Sequence, residues 1–456
     1  MPKQEFPSPA KNTPEAKKMP YQRWYPVTDL YRNAPDKKQF MDAMKKGGIN
    51  INGENITPLD FFSTGSDLND EEIIEAIQDY LGGENLDGKT ELINQSLEKS
   101  KDYIENYLHR KLPKEIENLE RLKNVNDLVK IFKKTSTAKK GEGVGLSPAY
   151  CALISVAAAS FEFRKKEMDG LIKESAYLYE EMFRLMGGVQ NFHRLRSAEG
   201  GYDRIMVFDD TNNNTIYVDS YFRGKNEDGF VTKFINEPEE TAEKASKDGI
   251  GFKFEAKSVK DVEKLVPFFT EYFTKKFGAG NFVFENTKLL DSKGINGVRE
   301  RIERGTTQFL ITDRANPRSN PNFRSFKING ALNVPMAGDP SRMKIKRNFE
   351  IQIVLTDNSN ETGFSNHFVY EGAKKLSAAT RLFGSFTREY LDIICEEAGA
   401  GSKLSGEKIK NYFKENLLAE IKVAGSEKKR YATKYTAERF SKTGRFTEEI
   451  KIKKIR

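Results

Sequence analysis

Four cations each followed by an aromatic ring, Arg430-Tyr431, Lys434-Tyr435, Arg439-Phe440 and Arg445-Phe446, fall within seventeen positions of this 456-residue chain. Lysine and arginine displace counterions from a phosphate backbone, while tyrosine and phenylalanine offer flat faces on which unpaired bases stack, each worth roughly 1 to 3 kcal/mol. That chemistry selects a nucleic acid as partner, single strands being favoured. A second basic group precedes it. Arg314, Arg318, Arg324 and Lys327 surround Asn316-Pro317 and Asn320-Pro321, and Arg342, Lys344, Lys346 and Arg347 lead into a strand-like run at Phe349. A planar guanidinium suits phosphate oxygens and can stack on a base, and a long basic loop inside a folded lobe commonly carries function. The competing reading is an interface loop that pairs with acidic surface on a neighbouring subunit.

Charge is unevenly spread. Residues 401–456 hold sixteen Lys/Arg against seven Asp/Glu, residues 314–347 eight against one, and residues 1–46 ten against five. These segments carry +21 in a chain whose net charge is +8, so the remainder carries −13. An acidic body with three basic stretches is an electrostatic footprint for a polyanion; the bland reading is a set of solubilising ends. Three histidines, His109, His193 and His367, lie far apart without metal-ligand spacing, and Cys151 and Cys395 sit in apolar surroundings as reduced core residues. No metal and no cofactor are expected. The apolar run Ala149 to Phe161 is too short for a membrane span, and the N-terminus lacks a signal-peptide core. No membrane partner and an intracellular or intravirion setting follow as expectations.

Two short segments carry resemblances. Gly249-Ile250-Gly251-Phe252-Lys253-Phe254, followed by a helical stretch and the run Asn281 to Glu285, resembles the third strand of an RNA-recognition motif, whose alternating aromatics face bases. Residues 204–222 read as a hairpin where that motif has its first strand and helix, so Phe252 and Phe254 read as core aromatics. Phe254-Glu255-Ala256-Lys257 has an E-x-K spacing that resembles the second half of a PD-(D/E)xK nuclease site. The resemblance implies paired carboxylates on Mg²⁺ and a lysine that helps activate water. Asp219 or Asp248 would supply the carboxylate beside Glu255 and Lys257; the upstream proline-aspartate is absent, and a solvated Glu-Lys pair at a strand end is the alternative.

The elements that position these groups follow from periodicity. Seven of the sixteen prolines lie in the first 35 residues, which predicts an extended arm anchored by Tyr21, Trp24 and Tyr25 and suited to subunit contact. Asn69 before Asp70-Glu71-Glu72 predicts a capped helix; apolar spacing predicts helices over 113–134 and from Pro148 to about Met186. Beyond Gly200-Gly201 the period becomes two, with strands at 204–209, 215–222, 250–256, 282–285, 308–312 and 349–355, and helices at 262–277 and 370–397. The expected fold is α+β: an N-terminal extended arm (1–55), a helical lobe (56–198), a mixed α+β lobe with antiparallel hairpins (199–400) and a basic C-terminal tail (401–456). By analogy of architecture, this composition points to a structural nucleic-acid-binding protein of the coat or nucleocapsid kind, a homo-oligomer joined through its arm. A Mg²⁺-dependent nuclease and a protein-protein scaffold without nucleic acid are the alternatives.

Overall fold

The computed structural model describes residues 27–47, 49–51, 54–56, 68–81, 87–134, 146–186, 194–198, 201–209, 215–236, 242–266, 269, 282–287, 289–291, 293–294, 296, 309–310, 324–337, 343–355, 367–383, 386–400, 404–422, 429–434 and 451–454. The fold is α+β and divides into two compact units. Unit one comprises residues 1–165, 228–244 and 366–456, and unit two residues 166–227 and 245–365, so the chain passes between them four times. No described helix is long and apolar enough to cross a membrane.

In chain order, unit one begins with α1 (Val27–Arg32), α2 (Lys37–Gly47), the antiparallel pair β1 (Ile49–Ile51) and β2 (Glu54–Ile56), then α3 (Asp70–Leu81), α4 (Thr90–Asp102), α5 (Lys114–Glu117), α6 (Val125–Lys134) and α7 (Leu146–Lys165). Unit two opens with α8 (Leu171–Met186), β3 (Arg194–Ala198), β4 (Gly201–Asp209) and β5 (Thr215–Gly224); α9 (Glu227–Asn236) and α10 (Ala242–Ala245) return to unit one. Unit two resumes with β6 (Ile250–Ala256), α11 (residues 259–266), β7 (Phe282–Thr287), β8 (Phe309–Leu310), β9 (Ser325–Pro335) and β10 (Lys344–Leu355). Unit one closes with α12 (His367–Phe383), β11 (Phe386–Thr387), α13 (Arg388–Ala400), α14 (Gly406–Asn416), β12 (Leu418–Lys422), β13 (Arg430–Thr433) and β14 (Lys451–Lys454).

Unit one forms for local reasons that partly correct the sequence expectations. Part of the expected arm is helical: α1 follows Pro26 and α2 starts after Pro35-Asp36, positions where a proline at or before a helix start costs no backbone bond. α3 has the expected cap in reciprocal form, since Asn69 Oδ1 accepts from Glu72 N (2.9 Å) and Glu72 Oε2 accepts from Asn69 N (2.8 Å). Its buried stripe is Ile73, Ala76, Ile77 and Tyr80. The helix expected over 113–134 is broken between α5 and α6, because the buried Asn94 amide clasps both backbone groups of Leu122 (3.0 and 2.7 Å) and the Lys101 ammonium donates to the carbonyls of Glu117 and Leu119. The helix expected over 370–397 is also two helices. The first ends at Phe383, and Thr387 Oγ1 accepts the Tyr390 amide (3.2 Å) to start the second.

Unit two is built on an eight-stranded sheet in the order β3-β4-β5-β6-β10-β9-β7-β8, with β6–β10 and β7–β8 parallel and the other pairs antiparallel. Residues 204–222 do form the expected hairpin, as β4 and β5. Alternation sorts the faces: Phe222, Ile250, Phe252, Phe254, Phe282, Phe284, Phe326, Ile328, Phe349, Ile351 and Ile353 are buried. Tyr179 of α8 lies 4.6 Å from the Phe222 ring and 6.1 Å from Phe252, and its hydroxyl shares a hydrogen bond with Ser220 Oγ. Close approach here requires Gly224, since a Cβ at that position would stand 2.3 Å from the backbone of Leu171 and Ile172. The single helix expected from Pro148 to Met186 ends at Lys165 and restarts at Leu171, with Glu167 between them in the left-handed region (φ 53°).

Candidate nucleic-acid interface

The expected basic loop is largely a hairpin. Residues 325–335 are strand β9, and β10 begins at Lys344 rather than Phe349. Phe326, Ile328, Leu332 and Val334 supply a period of two that the intervening Lys327, Asn329 and Asn333 disguise. β6 pairs with β10 only over Phe349–Leu355, and β7 pairs with β9 only over Ser325–Gly330. Ala331–Pro335 and Lys344–Asn348 therefore run on as a two-stranded ribbon, with Lys346 opposite Asn333 and Arg347 opposite Leu332.

The two ribbon faces have opposite character. Leu332, Val334 and Arg347 are buried, and Arg347 is only 5% exposed. Its Nε donates to Glu174 Oε2 (2.6 Å) and its Nη2 to Oε1 (3.1 Å), while the remaining guanidinium donors reach the carbonyls of Lys166 and Glu167 where the long helix breaks. This cation caps a broken helix inside the protein and is not offered to phosphate. On the other face Lys344 and Lys346 are exposed two residues apart, about 7 Å, beside Met343, the most exposed large apolar side chain among the described residues at 62%. No carboxylate forms an ion pair with either lysine among the described residues.

The rest of the basic stretch disperses. Lys327 is tied to Glu350 (2.8 Å) on the half-buried polar face of the sheet. Burial acts to lower its pKa, but the Glu350 carboxylate, with Asp248 and Glu285 further off, outweighs it and holds the ammonium above its ordinary range. Arg324 is exposed at the opposite end of β9, about 35 Å of strand from Lys344. Arg314, Arg318 and Arg342 lie outside the described residues. Of the basic-aromatic segment, Arg430 is exposed, whereas Tyr431 is buried with its ring stacked on Phe386 (centroids 5.9 Å apart) and presents no face to a base. In β13 only Arg430 is exposed, and Tyr431, Ala432 and Thr433 are all buried. Lys434 anchors locally: its amide donates to Leu417 O (2.8 Å) and its Nζ to Glu415 O (2.9 Å). Tyr435, Arg439, Phe440, Arg445 and Phe446 lie outside the described residues, as do Tyr21, Trp24 and Tyr25.

Of the two carboxylates that the nuclease resemblance offered beside Glu255, the register of β5 and β6 brings Asp219 opposite it and leaves Asp248 distant. Asp248 precedes β6 and Glu255 stands near its far end, about 20 Å away along the strand, too far to share an ion whose ligands lie at about 2 Å. Asp248 pairs with Lys225, Glu255 pairs with Lys253 (2.5 Å), and Lys257 is exposed past the strand end. Asp219 is the register partner of Glu255 on β5. No group of three or more His, Cys, Asp or Glu among the described residues is placed to hold a metal ion. Phe252 and Phe254 lie on the buried face against Tyr179 and Phe269.

Sequence reading missed the functions of Arg347 and Glu174, which lie 173 positions apart and meet only through the register of β10. An arginine closing an alternating basic run directly before an apolar strand was the available signal. Cys395 is a buried free thiol, and burial pushes its pKa up to about 12. Comparison of the chain with known protein families, curated proteins and solved structures found no match.

Proposed function

We propose that this protein binds nucleic acid as a structural, self-assembling component of the coat or nucleocapsid kind, with the outer face of the β9–β10 ribbon as one contact. The observation that carries the reading is the pair Lys344 and Lys346, exposed side by side without carboxylate partners among the described residues, on a ribbon whose other face is fixed by buried Arg347. Cations free of internal partners exchange condensed counterions with a phosphate chain at little internal cost. Arg324, Arg430 and the basic segments at residues 1–46, 314–323 and 435–456 add to the same sign. Assembly as a homo-oligomer through Tyr21, Trp24 and Tyr25 belongs to the same proposal and rests on composition.

Fluorescence anisotropy with single-stranded and duplex oligonucleotides over a salt series tests it. Lys344→Glu with Lys346→Glu is expected to weaken single-strand binding and lower the slope of log K against log salt by at least about 1.4, two contacts at about 0.7 each. An unchanged slope removes the ribbon from the interface; no binding by the wild-type chain at any salt leaves the scaffold reading.

A further inference from the structure

Unit one holds a group of hydrogen-bond donors gathered without an acceptor among the described residues. α12 ends at Phe383, β11 follows, and α13 starts at Arg388, so the chain turns a corner there. Arg110, just beyond a π-helical turn (Tyr103–Tyr107) and the left-handed His109 (φ 49°), lays its guanidinium 4.7 Å from the centre of the Phe383 ring. Thr387 is the register partner of Arg430, and its hydroxyl holds the Tyr390 amide. Phe386 contacts both neighbours, its ring 6.0 Å from Tyr390 and 5.9 Å from Tyr431. Arg110, Tyr390 and Arg430 thus share one corner of unit one.

Among the described residues none of the three side chains has a hydrogen-bond acceptor. Tyr390 is 3% exposed, and its buried hydroxyl has no partner among those residues. Arg110 is half-buried, and neither it nor Arg430 forms an ion pair with a carboxylate among the described residues. Burial, and then the charge of Arg430, lower the Arg110 pKa, while Arg110 and Tyr390 lie close enough to influence each other's ionisation. Glu397 is the acid near Tyr390, but its two oxygens are held by His109 (2.6 Å) and Lys375 (2.8 Å). A buried donor without an acceptor is costly, and two guanidinium groups repel. One multivalent oxyanion relieves all three deficits at once, accepting from both arginines and from the phenol.

We propose that Arg110, Arg430 and the Tyr390 hydroxyl form a phosphate-binding site, which takes a tetrahedral phosphate oxyanion either as inorganic phosphate or as a phosphate group of a nucleic acid. The site stands in unit one, and its existence does not depend on the ribbon reading. Arginine is the suitable residue because its fork can give two bonds to one phosphate, and the phenol supplies the donor that a chloride or a water would use less fully.

Isothermal titration calorimetry on the full chain tests this, with inorganic phosphate against chloride at matched ionic strength, and with one short oligonucleotide carrying or lacking a 5′-phosphate. Saturable phosphate binding is expected, weakened about tenfold by Tyr390→Phe and by Arg430→Gln. Removing the orphan hydroxyl should leave the phosphate-free Tm of Tyr390→Phe equal to or above the wild type, which a purely structural role would not give. Binding of inorganic phosphate identifies the free ion as sufficient, and binding of the 5′-phosphorylated oligonucleotide alone identifies the nucleic acid as the source. Absence of any phosphate-dependent heat, or phosphate binding undiminished in the surface variant Arg430→Gln, overturns the proposal.

Discussion

Arg347 shows how little a residue's type says before its partner is known. Within a run of cations it reads as a phosphate contact, yet among the described members of that run it is the one whose charge is neutralised by a buried carboxylate, Glu174, itself 2% exposed. Removing one partner of such a pair leaves an isolated buried charge, whereas replacing both with apolar groups removes the need for compensation. Glu174→Gln is accordingly expected to destabilise unit two by about 3 to 5 kcal/mol, and Arg347→Met combined with Glu174→Leu by less, as read from urea unfolding midpoints. Equal losses in both would mean that the guanidinium bonds to the Lys166 and Glu167 carbonyls carry the site. Glu72 makes a related point at the surface of unit one. The two-pronged bond from Arg32 (2.8 and 3.0 Å) and the Asn69 amide hold its pKa down to about 2 from an ordinary 4.5. A depressed carboxylate contributes stability that is present above about pH 4.5 and lost as pH falls toward 2. Arg32→Met should flatten that part of the Tm against pH profile; an unaltered profile would assign the acid sensitivity to other carboxylates.

At the scale of elements, the cap of α3 is a self-contained device. Asn69→Ala should cost about 1 kcal/mol, measured by thermal unfolding, with Asn69→Asp close to neutral. Where the signal was local, the sequence was legible. The Asn69 cap, the alternation of Ile250, Phe252, Phe254 and Ala256, and the hairpin of residues 204–222 all appear in place. Where a distant group decides, it was not. The break after α5 depends on Asn94 and Lys101, and the break between α7 and α8 is bridged by Arg347 from far down the chain. The Thr387 cap was local and could have been read from Gly384-Ser385-Phe386-Thr387. β9 resembles a loop by composition because Ser325, Lys327, Asn329 and Asn333 interrupt its apolar residues, although polar residues between buried ones are what a strand with one buried face requires. Candidate site residues divided the same way. Exposure of Lys344 and Lys346 followed from their charge, while burial of Tyr431 followed from a strand pairing with β11 that charge counting does not detect.

For the whole molecule, assembly is the property that separates the proposed coat-like role from that of a solitary binding protein. Size-exclusion chromatography with light scattering at low and high salt, together with the 260/280 nm absorbance ratio, should show large species carrying nucleic acid that salt strips away. Deleting residues 1–26 should lower the oligomeric mass more than the thermal midpoint. A nucleic-acid-free monomer under both conditions removes the role. The fourfold passage of the chain between the units has a consequence for biogenesis. Unit one draws on residues 1–165 and again on 366–456, and α12 packs against α7 across that gap. During translation at about 5 to 20 residues per second, the roughly 200 intervening residues take about 10 to 40 s to emerge. Throughout that interval the nascent helices carry apolar surface whose cover has not yet been synthesised, so the yield of folded protein should follow chaperone supply at the ribosome.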